Sequence, residues 1–197
     1  MNFNKPPSSP ITPATQWFDH AKQTLDTPNP LSGALATVNE EGQPSSRMVL
    51  LKGFDEQGAV FFTNYNSDKS RDIDDNPKVS MLFHWDTLHR QLRIQGVAEK
   101  LNEEESDVYF ASRPRLSQIG ALASDQSKPL QSRAKLLEKV ATLTAKWFGR
   151  DIPRPENWGG YRIRLTAIEF WEGQDGRLHD RVRYLYDDDW SWERLQP

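Results

Sequence analysis

The stretch GALATVNEEGQPSSRMVLLKGF, residues 33–54, contains two apolar runs on either side of a turn signal. The runs at residues 33–38 and 46–54 have the composition of strands, and Glu41-Gly42 between them is typical of a turn. Two strands joined in this way pair antiparallel. The stretch therefore predicts a β-hairpin, and its second strand carries two cations, Arg47 and Lys52.

Further strand-like runs follow the hairpin, with a few helical stretches between them. Strands are predicted at residues 59–63, 79–85, 91–100, 161–165, 167–171, 181–186 and 190–195. Helices are predicted at residues 67–75, 106–111 and 130–148, the last being the longest. This order lacks the regular strand–helix–strand rhythm of a doubly wound sheet. The predicted fold class is therefore mainly β with helices, an antiparallel barrel.

The composition is that of one globular domain. A chain of 197 residues can bury a real core, and we expect a single domain over residues 14–197 after a flexible, Pro-rich tail over residues 1–13. A net charge of only -3 does not favour nucleic acid as a partner. The absence of cysteine excludes disulfides, thiolate metal sites and a cysteine-linked flavin. No apolar run is long enough for a membrane span or a signal peptide, so a cytoplasmic location is expected.

Several familiar catalytic and binding motifs are missing. The sequence contains no G-x-G-x-x-G, no G-x-x-x-x-G-K-[ST] and no G-x-S-x-G. Its four histidines do not stand at metal-ligand spacing, so no metal site is predicted. Rossmann, P-loop and α/β-hydrolase chemistry are therefore unsupported.

Clustered cations are the remaining chemical signal. In an extended segment, Arg177, His179 and Arg181 would share one face, which suggests an anion between them; a solvated basic edge strand would give the same pattern. Arg47 and Lys52 are five residues apart, so one regular strand would direct them to opposite faces. They would then serve two different anions, or one of them would be a surface charge.

A set of short segments lies in order from about residue 29 to residue 197. The segments are RMVLLK at 47–52, FTNY at 62–65, NP at 76–77, RQ at 90–91, YF at 109–110, RP at 113–114, SQIGA at 117–121, QS at 126–127, WGGY at 158–161, EFW at 169–171, RLHDR at 177–181 and RLQP at 194–197. Each segment is weak alone, but their ordered combination is highly specific. Together they resemble the pyridoxamine 5'-phosphate oxidase family.

The resemblance implies a split β-barrel that binds FMN and acts as a homodimer, with FMN in clefts between the subunits. It also implies roles for individual residues. The implied cofactor contacts are Arg47, Met48, Val49, Leu50, Leu51, Lys52, Phe62, Thr63, Asp68, Lys69, Gln91, Gln126, Ser127, Trp171 and Arg181. The implied substrate contacts are Lys52, Tyr109, Arg113, Ser117, Arg177, Leu178 and His179. The first four of these resemble the site for the substrate phosphate, and Arg177 with His179 the site for the substrate ring. Arg177 and His179 are the implied catalytic residues. Two phosphate sites, one for the cofactor and one for the substrate, would explain why Arg47 and Lys52 face different ways.

The implied activity is oxidation of pyridoxamine 5'-phosphate and pyridoxine 5'-phosphate to pyridoxal 5'-phosphate. Hydride would pass from C4' of the substrate to N5 of the flavin, and O2 would reoxidise the flavin to give hydrogen peroxide. Two other functions stay open: a related flavoenzyme acting on another ring, such as a phenazine precursor, and a non-catalytic protein that stores FMN or pyridoxal phosphate.

The sequence departs from the family pattern at a few positions. Phe62 stands where Tyr is common, Asp68 where a basic residue is frequent, and Asn29 where an acidic residue is frequent. The N-terminal segment also lacks an Arg followed at helical spacing by a Tyr, which is the pattern of a lid over the substrate. These changes bear on substrate affinity or rate more than on FMN binding.

Overall fold

The computed structural model describes all residues from 1 to 197 and contains nine strands and five helices. The strands are β1 (Ser32–Val38), β2 (Pro44–Leu50), β3 (Gly53–Asp55), β4 (Gly58–Asn64), β5 (Lys78–Trp85), β6 (Arg90–Lys100), β7 (Trp158–Glu172), β8 (Asp180–Asp187) and β9 (Asp189–Arg194). The helices are α1 (Ile11–Thr24), α2 (Asp68–Asp75), α3 (Glu103–Ser112), α4 (Arg115–Ala123) and α5 (Arg133–Lys146). The predicted mainly β class is confirmed.

All strand pairs are antiparallel, and the sheet runs in the order β2-β1-β5-β6-β7-β4-β3. The 15-residue strand β7 divides the sheet, because its first half pairs with β4 and its second half with β8. The sequence predicted two strands at 161–165 and 167–171, but they are one continuous strand. A β-bulge in the β6–β7 pair, where the register shifts at Gln95 and Gly96 and Thr166 is the extra residue on β7, allows this long pair to bend.

Gly96 is required at the bulge by close backbone contact. A Cβ atom at this position would lie 2.0 Å from the carbonyl oxygen of Arg164 on β7. Only glycine allows the two backbones to approach so closely.

The hairpin predicted at residues 33–54 forms with β1 paired to β2, but its second strand is shorter than predicted. β2 ends at Leu50, and the chain turns so that Leu51 N–H donates to the carbonyl of Leu31 and Lys52 N–H to that of Val60. Arg47 and Lys52 therefore do not lie on one regular strand. The prediction that strand alternation directs them to opposite faces was wrong, because it assumed that one strand contains both residues.

A core of 25 buried residues fills the barrel and extends under α1. Trp17 and Phe18 of α1 pack edge-on against Phe170 and Phe83. The sequence prediction missed this helix, although Ala14, Trp17, Phe18 and Ala21 have the spacing of a buried helix face. A second cluster of four buried residues, Phe110, Ile119, Ile152 and Trp158, lies under α3 and α4.

The division into a tail over residues 1–13 and a domain over residues 14–197 stays a prediction. In the structure α1 already begins at Ile11, Phe3 is buried in the core, and the Tyr184 hydroxyl donates to the carbonyl of Pro7 at 2.9 Å. Part of the predicted tail thus contacts the domain. None of the helices has both the length and the apolar character that crossing a membrane requires.

Candidate active site

A cavity of about 480 Å³ opens beside the end of β2 and is bordered by β4, α3, α4 and the first residue of β7. It brings together many residues that the sequence assigned separately to cofactor and substrate. Its lining residues are Met48, Val49, Leu50, Lys52, Phe62, Thr63, Asn64, Lys69, Tyr109, Ser112, Arg113, Pro114, Ser117, Gln126 and Trp158. All four predicted contacts for the substrate phosphate, Lys52, Tyr109, Arg113 and Ser117, are among them.

Lys69 is the buried cation of this cavity. Its Nζ donates to Thr63 Oγ1 and Ser67 Oγ, both at 3.0 Å. Burial, and then the positive charge of Arg47, lower the pKa of Lys69 to about 8. An anion bound here would relieve both effects, so the donor chemistry fits a phosphate group.

Arg47 lies behind Lys69 and does not line the cavity. Its Nη1 donates to Thr37 Oγ1 at 2.5 Å, and its Nη2 lies 3.6 Å from the Asp72 carboxylate. Asp72 is in turn hydrogen-bonded by Thr37 and Ser45. This partly buried network fixes the guanidinium close enough to Lys69 to lower its pKa.

Gln126 and Ser127 extend the Lys69 site from the loop after α4. Gln126 Oε1 accepts a hydrogen bond from Thr63 at 3.3 Å, and Ser127 Oγ accepts one from the backbone N–H of Asp68 at 3.2 Å. The Asp68 side chain is paired with Arg71 on the exposed side of α2 and does not line the cavity. Its carboxylate is still close enough to Lys69 to oppose the lowering of the lysine pKa.

Aromatic rings form one wall of the cavity. Phe62 stacks on Tyr109 with ring centroids 3.8 Å apart and on Trp158 at 5.5 Å. The Arg113 guanidinium lies over the Trp158 ring, and its Nη1 is buried without a hydrogen-bond partner. An unpaired buried donor is costly unless a ligand satisfies it, so Arg113 also fits an anion.

Gln91, Trp171 and Arg181 lie together elsewhere, in a second cleft of about 290 Å³ on the outer face of the sheet. They are cross-strand neighbours, since Gln91 pairs with Trp171 and Trp171 with Arg181. Buried Glu169 accepts two hydrogen bonds from Arg181, at 2.7 and 3.1 Å, and also pairs with Arg93. The sequence analysis did not single out Glu169 as a contact of Arg181, although its position two residues before Trp171 places both on one strand face.

The segment 177–181 is not extended, so the prediction that Arg177, His179 and Arg181 share a strand face was wrong. Residues 175–177 form a short 3-10 turn, Arg177 has a φ of 62°, and β8 begins only at Asp180. Arg177 and Leu178 are exposed, and the His179 ring lies 4.6 Å from that of Trp171. Neither Arg177 nor His179 lines the larger cavity of the same chain.

The divided antiparallel sheet is a split β-barrel. A structure of PhzG from Burkholderia lata in complex with tetrahydrophenazine-1-carboxylic acid has a TM-score of 0.93, with 35% identity, and the match covers 99% of this chain and 96% of that one. A pyridoxamine 5'-phosphate oxidase-related, FMN-binding protein from Nostoc punctiforme shares the fold at a TM-score of 0.75 and 17% identity. That match covers 96% of this chain and 98% of that one.

Sequence comparison defines the family. Residues 19–147 match the family model described as pyridoxamine 5'-phosphate oxidase, and residues 158–197 match the one described as the pyridoxine 5'-phosphate oxidase C-terminal dimerisation region. The chain is 51% identical to a pyridoxine/pyridoxamine 5'-phosphate oxidase of Rubrobacter xylanophilus over 95% of this chain and 87% of the relative. It is 48% identical to the one of Cupriavidus pinatubonensis over 100% and 93%. The chain belongs to the pyridoxamine 5'-phosphate oxidase family.

Proposed function

We propose that this protein oxidises pyridoxamine 5'-phosphate and pyridoxine 5'-phosphate to pyridoxal 5'-phosphate with FMN as its cofactor. The supporting observation is that a single cavity contains two separate cationic groups, Lys69 backed by Arg47 and Arg113 with Lys52. Two groups suit two phosphates, one on the cofactor and one on the substrate. Relatives that are about half identical to this chain in sequence are named pyridoxine/pyridoxamine 5'-phosphate oxidase, which agrees with the proposed activity.

Lys69, Thr63, Gln126 and Ser127 would hold the FMN phosphate, with Arg47 as the second cation. Lys52, Arg113, Tyr109 and Ser117 would hold the substrate phosphate. When bound, FMN supplies the acceptor for a hydride from C4' and returns the electrons to O2, giving hydrogen peroxide. Fixing the distant phosphate of the substrate would place C4' in a reactive position.

We infer that the working unit is a homodimer with each site shared between two chains. Arg177 and His179 stand outside the cavity that contains Arg113, and the same is true of Gln91, Trp171 and Arg181. A second copy could bring its own set to the cavity, and residues 158–197 match a dimerisation region. In such a dimer two chains would complete two equal sites.

His179 holds its proton at a defined atom. The backbone N–H of Gln174 donates to His179 Nδ1 at 3.2 Å, so the neutral ring carries its proton on Nε2. His179 would therefore present a hydrogen-bond donor to the substrate ring, while Arg177 supplies a fixed positive charge. This assignment gives His179, one of the two implied catalytic residues, the role of a hydrogen-bond donor at Nε2.

The function is tested with purified, FMN-loaded protein and each phosphorylated vitamer, by following formation of the aldehyde. Arg113→Ala should raise KM for phosphorylated substrates by about ten- to a hundred-fold and leave flavin content normal, because it removes one charge-assisted contact of about 1.5–3 kcal/mol. Arg115→Ala is the matched control, since Arg115 is bound to the carbonyls of Trp147 and Arg150. No aldehyde from either vitamer would refute the proposal.

The second candidate is oxidation of a phenazine-type ring. It is favoured by the fold match to PhzG at 35% identity. The ligand in that structure carries a carboxylic acid and no phosphate ester, so in that function Arg113 and Lys52 would bind a carboxylate in place of a phosphate. Flavin reduction by such a ring, but not by the phosphorylated vitamers, would select it.

A further inference from the structure

Arg113 is held in the cavity by aromatic faces. Its guanidinium carbon lies 4.5 Å from the centroid of the Trp158 ring and 5.7 Å from that of Phe110. A guanidinium over an aromatic face is attracted by the negative charge above the ring. These two contacts fix a long side chain that begins at the end of α3.

Other arginines near the two clefts are held differently. Arg181 is paired with Glu169 at 2.7 Å and Arg154 with Asp107 at 2.6 Å. Arg113 Nη1 is buried and has no hydrogen-bond partner, and burial is the main cause that lowers the pKa of Arg113. Tyr109 acts against that shift and no carboxylate does, so no carboxylate of the chain neutralises this charge.

Trp158 is itself firmly placed. It is buried, it pairs with Asn64 where β7 begins, and its carbonyl accepts a hydrogen bond from Arg154 at 2.8 Å. Its ring is stacked nearly parallel to those of Phe62 and Tyr109, with interplanar angles of 12° and 6°. The ring can therefore act as a fixed platform for the Arg113 guanidinium.

We propose that Trp158 is a positioning residue for Arg113, which fixes the guanidinium in the cavity without neutralising it. A carboxylate in the same place would compete with the ligand for the guanidinium, whereas an aromatic face leaves its N–H groups and its full charge for a phosphate ester. Trp158 thereby favours substrates that carry a phosphate. The inference rests on the proposed function, because it takes Arg113 as the contact for the substrate phosphate.

Trp158→Leu removes the aromatic face, while Trp158→Phe keeps a smaller one. We expect Trp158→Leu to raise KM for pyridoxamine 5'-phosphate by about five- to thirty-fold, which corresponds to about 1–2 kcal/mol of cation–π interaction. The value of kcat should change little, and Trp158→Phe should recover most of the loss. Ile152→Ala is the control for packing, because Ile152 belongs to the same buried cluster as Trp158. It should lower the melting temperature and leave KM unchanged.

A double-mutant cycle separates action through Arg113 from direct contact with the substrate. In the Arg113→Ala background, Trp158→Leu should have no further effect on KM. An equal effect in both backgrounds, or no effect of Trp158→Leu alone, would overturn the proposal.

The four proteins of this cycle are the wild type, Trp158→Leu, Arg113→Ala and the double variant. Each should also be loaded with FMN and titrated with inorganic phosphate in a calorimeter. This measurement needs no turnover, so it tests the coupling of Trp158 and Arg113 even if no vitamer is oxidised. Weaker phosphate binding in Trp158→Leu, absent in the Arg113→Ala background, supports the proposal. Phosphate binding that ignores both residues contradicts it.

Discussion

Two titratable side chains are central at the scale of single residues. Lys69 has a pKa of about 8, well below its usual 10.5, because it is buried beside Arg47. Binding of the phosphate dianion favours the charged form, so it should raise this pKa again. Below pH 8 the lysine is already protonated, and above pH 8 the protein must take up a proton to bind.

We therefore predict that the affinity for FMN is constant below about pH 8 and falls as the pH rises above it. The dissociation constant can be measured between pH 6.5 and 9.5, roughly the range over which Lys69 loses its charge and the phosphate stays ionised. Lys69→Arg keeps its charge throughout this range and should remove the dependence. If wild type and Lys69→Arg show the same pH profile, Lys69 does not bind the phosphate.

For His179 the fixed proton position makes a prediction about two amide variants. The Gln amide reaches the place of Nε2–H, whereas the Asn amide reaches only that of Nδ1. His179→Gln should therefore keep flavin reduction within about ten-fold of wild type, and His179→Asn should lose about ten- to a hundred-fold. Anaerobic stopped-flow reduction of bound FMN measures the step. Equal losses in the two variants would argue against the donor role.

Among the elements, the strand and helix positions were largely predictable because hydrophobic periodicity is local. The hairpin, β5, β6 and the helix at the Lys69 site lie close to the positions predicted from the sequence. The break after Leu50 was not, because it depends on backbone partners in Leu31 and Val60 that are distant in sequence or reached only after a turn. The turn at Arg177 was also missed. Arg177 has a positive φ, which usually indicates a turn only where the residue is glycine, so the sequence at this position does not predict it.

The candidate site was predictable only through resemblance. Isolated Gln, Ser and Arg residues are usually exposed, and Lys52, Tyr109 and Arg113 converge only once α3 and α4 are packed beside β4. Trp158 illustrates what was missed. A tryptophan at the start of a strand gives no sign that its ring will support an arginine 45 positions earlier in the sequence.

The bulge between β6 and β7 gives a prediction about element packing. Gly96→Ala would place a Cβ against the Arg164 carbonyl, which is backbone and cannot move aside. We expect a loss of about 2–3 kcal/mol in the free energy of unfolding, measured by denaturant titration. Gly120→Ala in α4 is the control, since a Cβ there meets nothing within 4 Å. The Gly120→Ala change should be neutral or stabilise the helix by up to about 1 kcal/mol. If Gly96→Ala leaves the free energy of unfolding unchanged, the close backbone contact at the bulge does not require glycine.

At the scale of the whole molecule, the separation of Arg113 from His179 predicts complementation between chains. In a mixed dimer of Arg113→Ala and His179→Ala chains, one of the two shared sites would have both wild-type residues. Random mixing should therefore restore up to about a quarter of wild-type activity at low substrate concentration. If both residues of each site come from one chain, mixing restores nothing. Refolding the two variants together and separately provides the comparison.

The central claim is that bound FMN is reduced by a phosphorylated vitamer held in this cavity. The most direct test is anaerobic mixing of the FMN-loaded protein with pyridoxamine 5'-phosphate while the visible absorbance of the flavin is followed. We predict bleaching of the flavin with one pyridoxal 5'-phosphate formed per flavin, and much slower bleaching by pyridoxamine without its phosphate. A flavin that keeps its colour with saturating pyridoxamine 5'-phosphate and pyridoxine 5'-phosphate would contradict the claim.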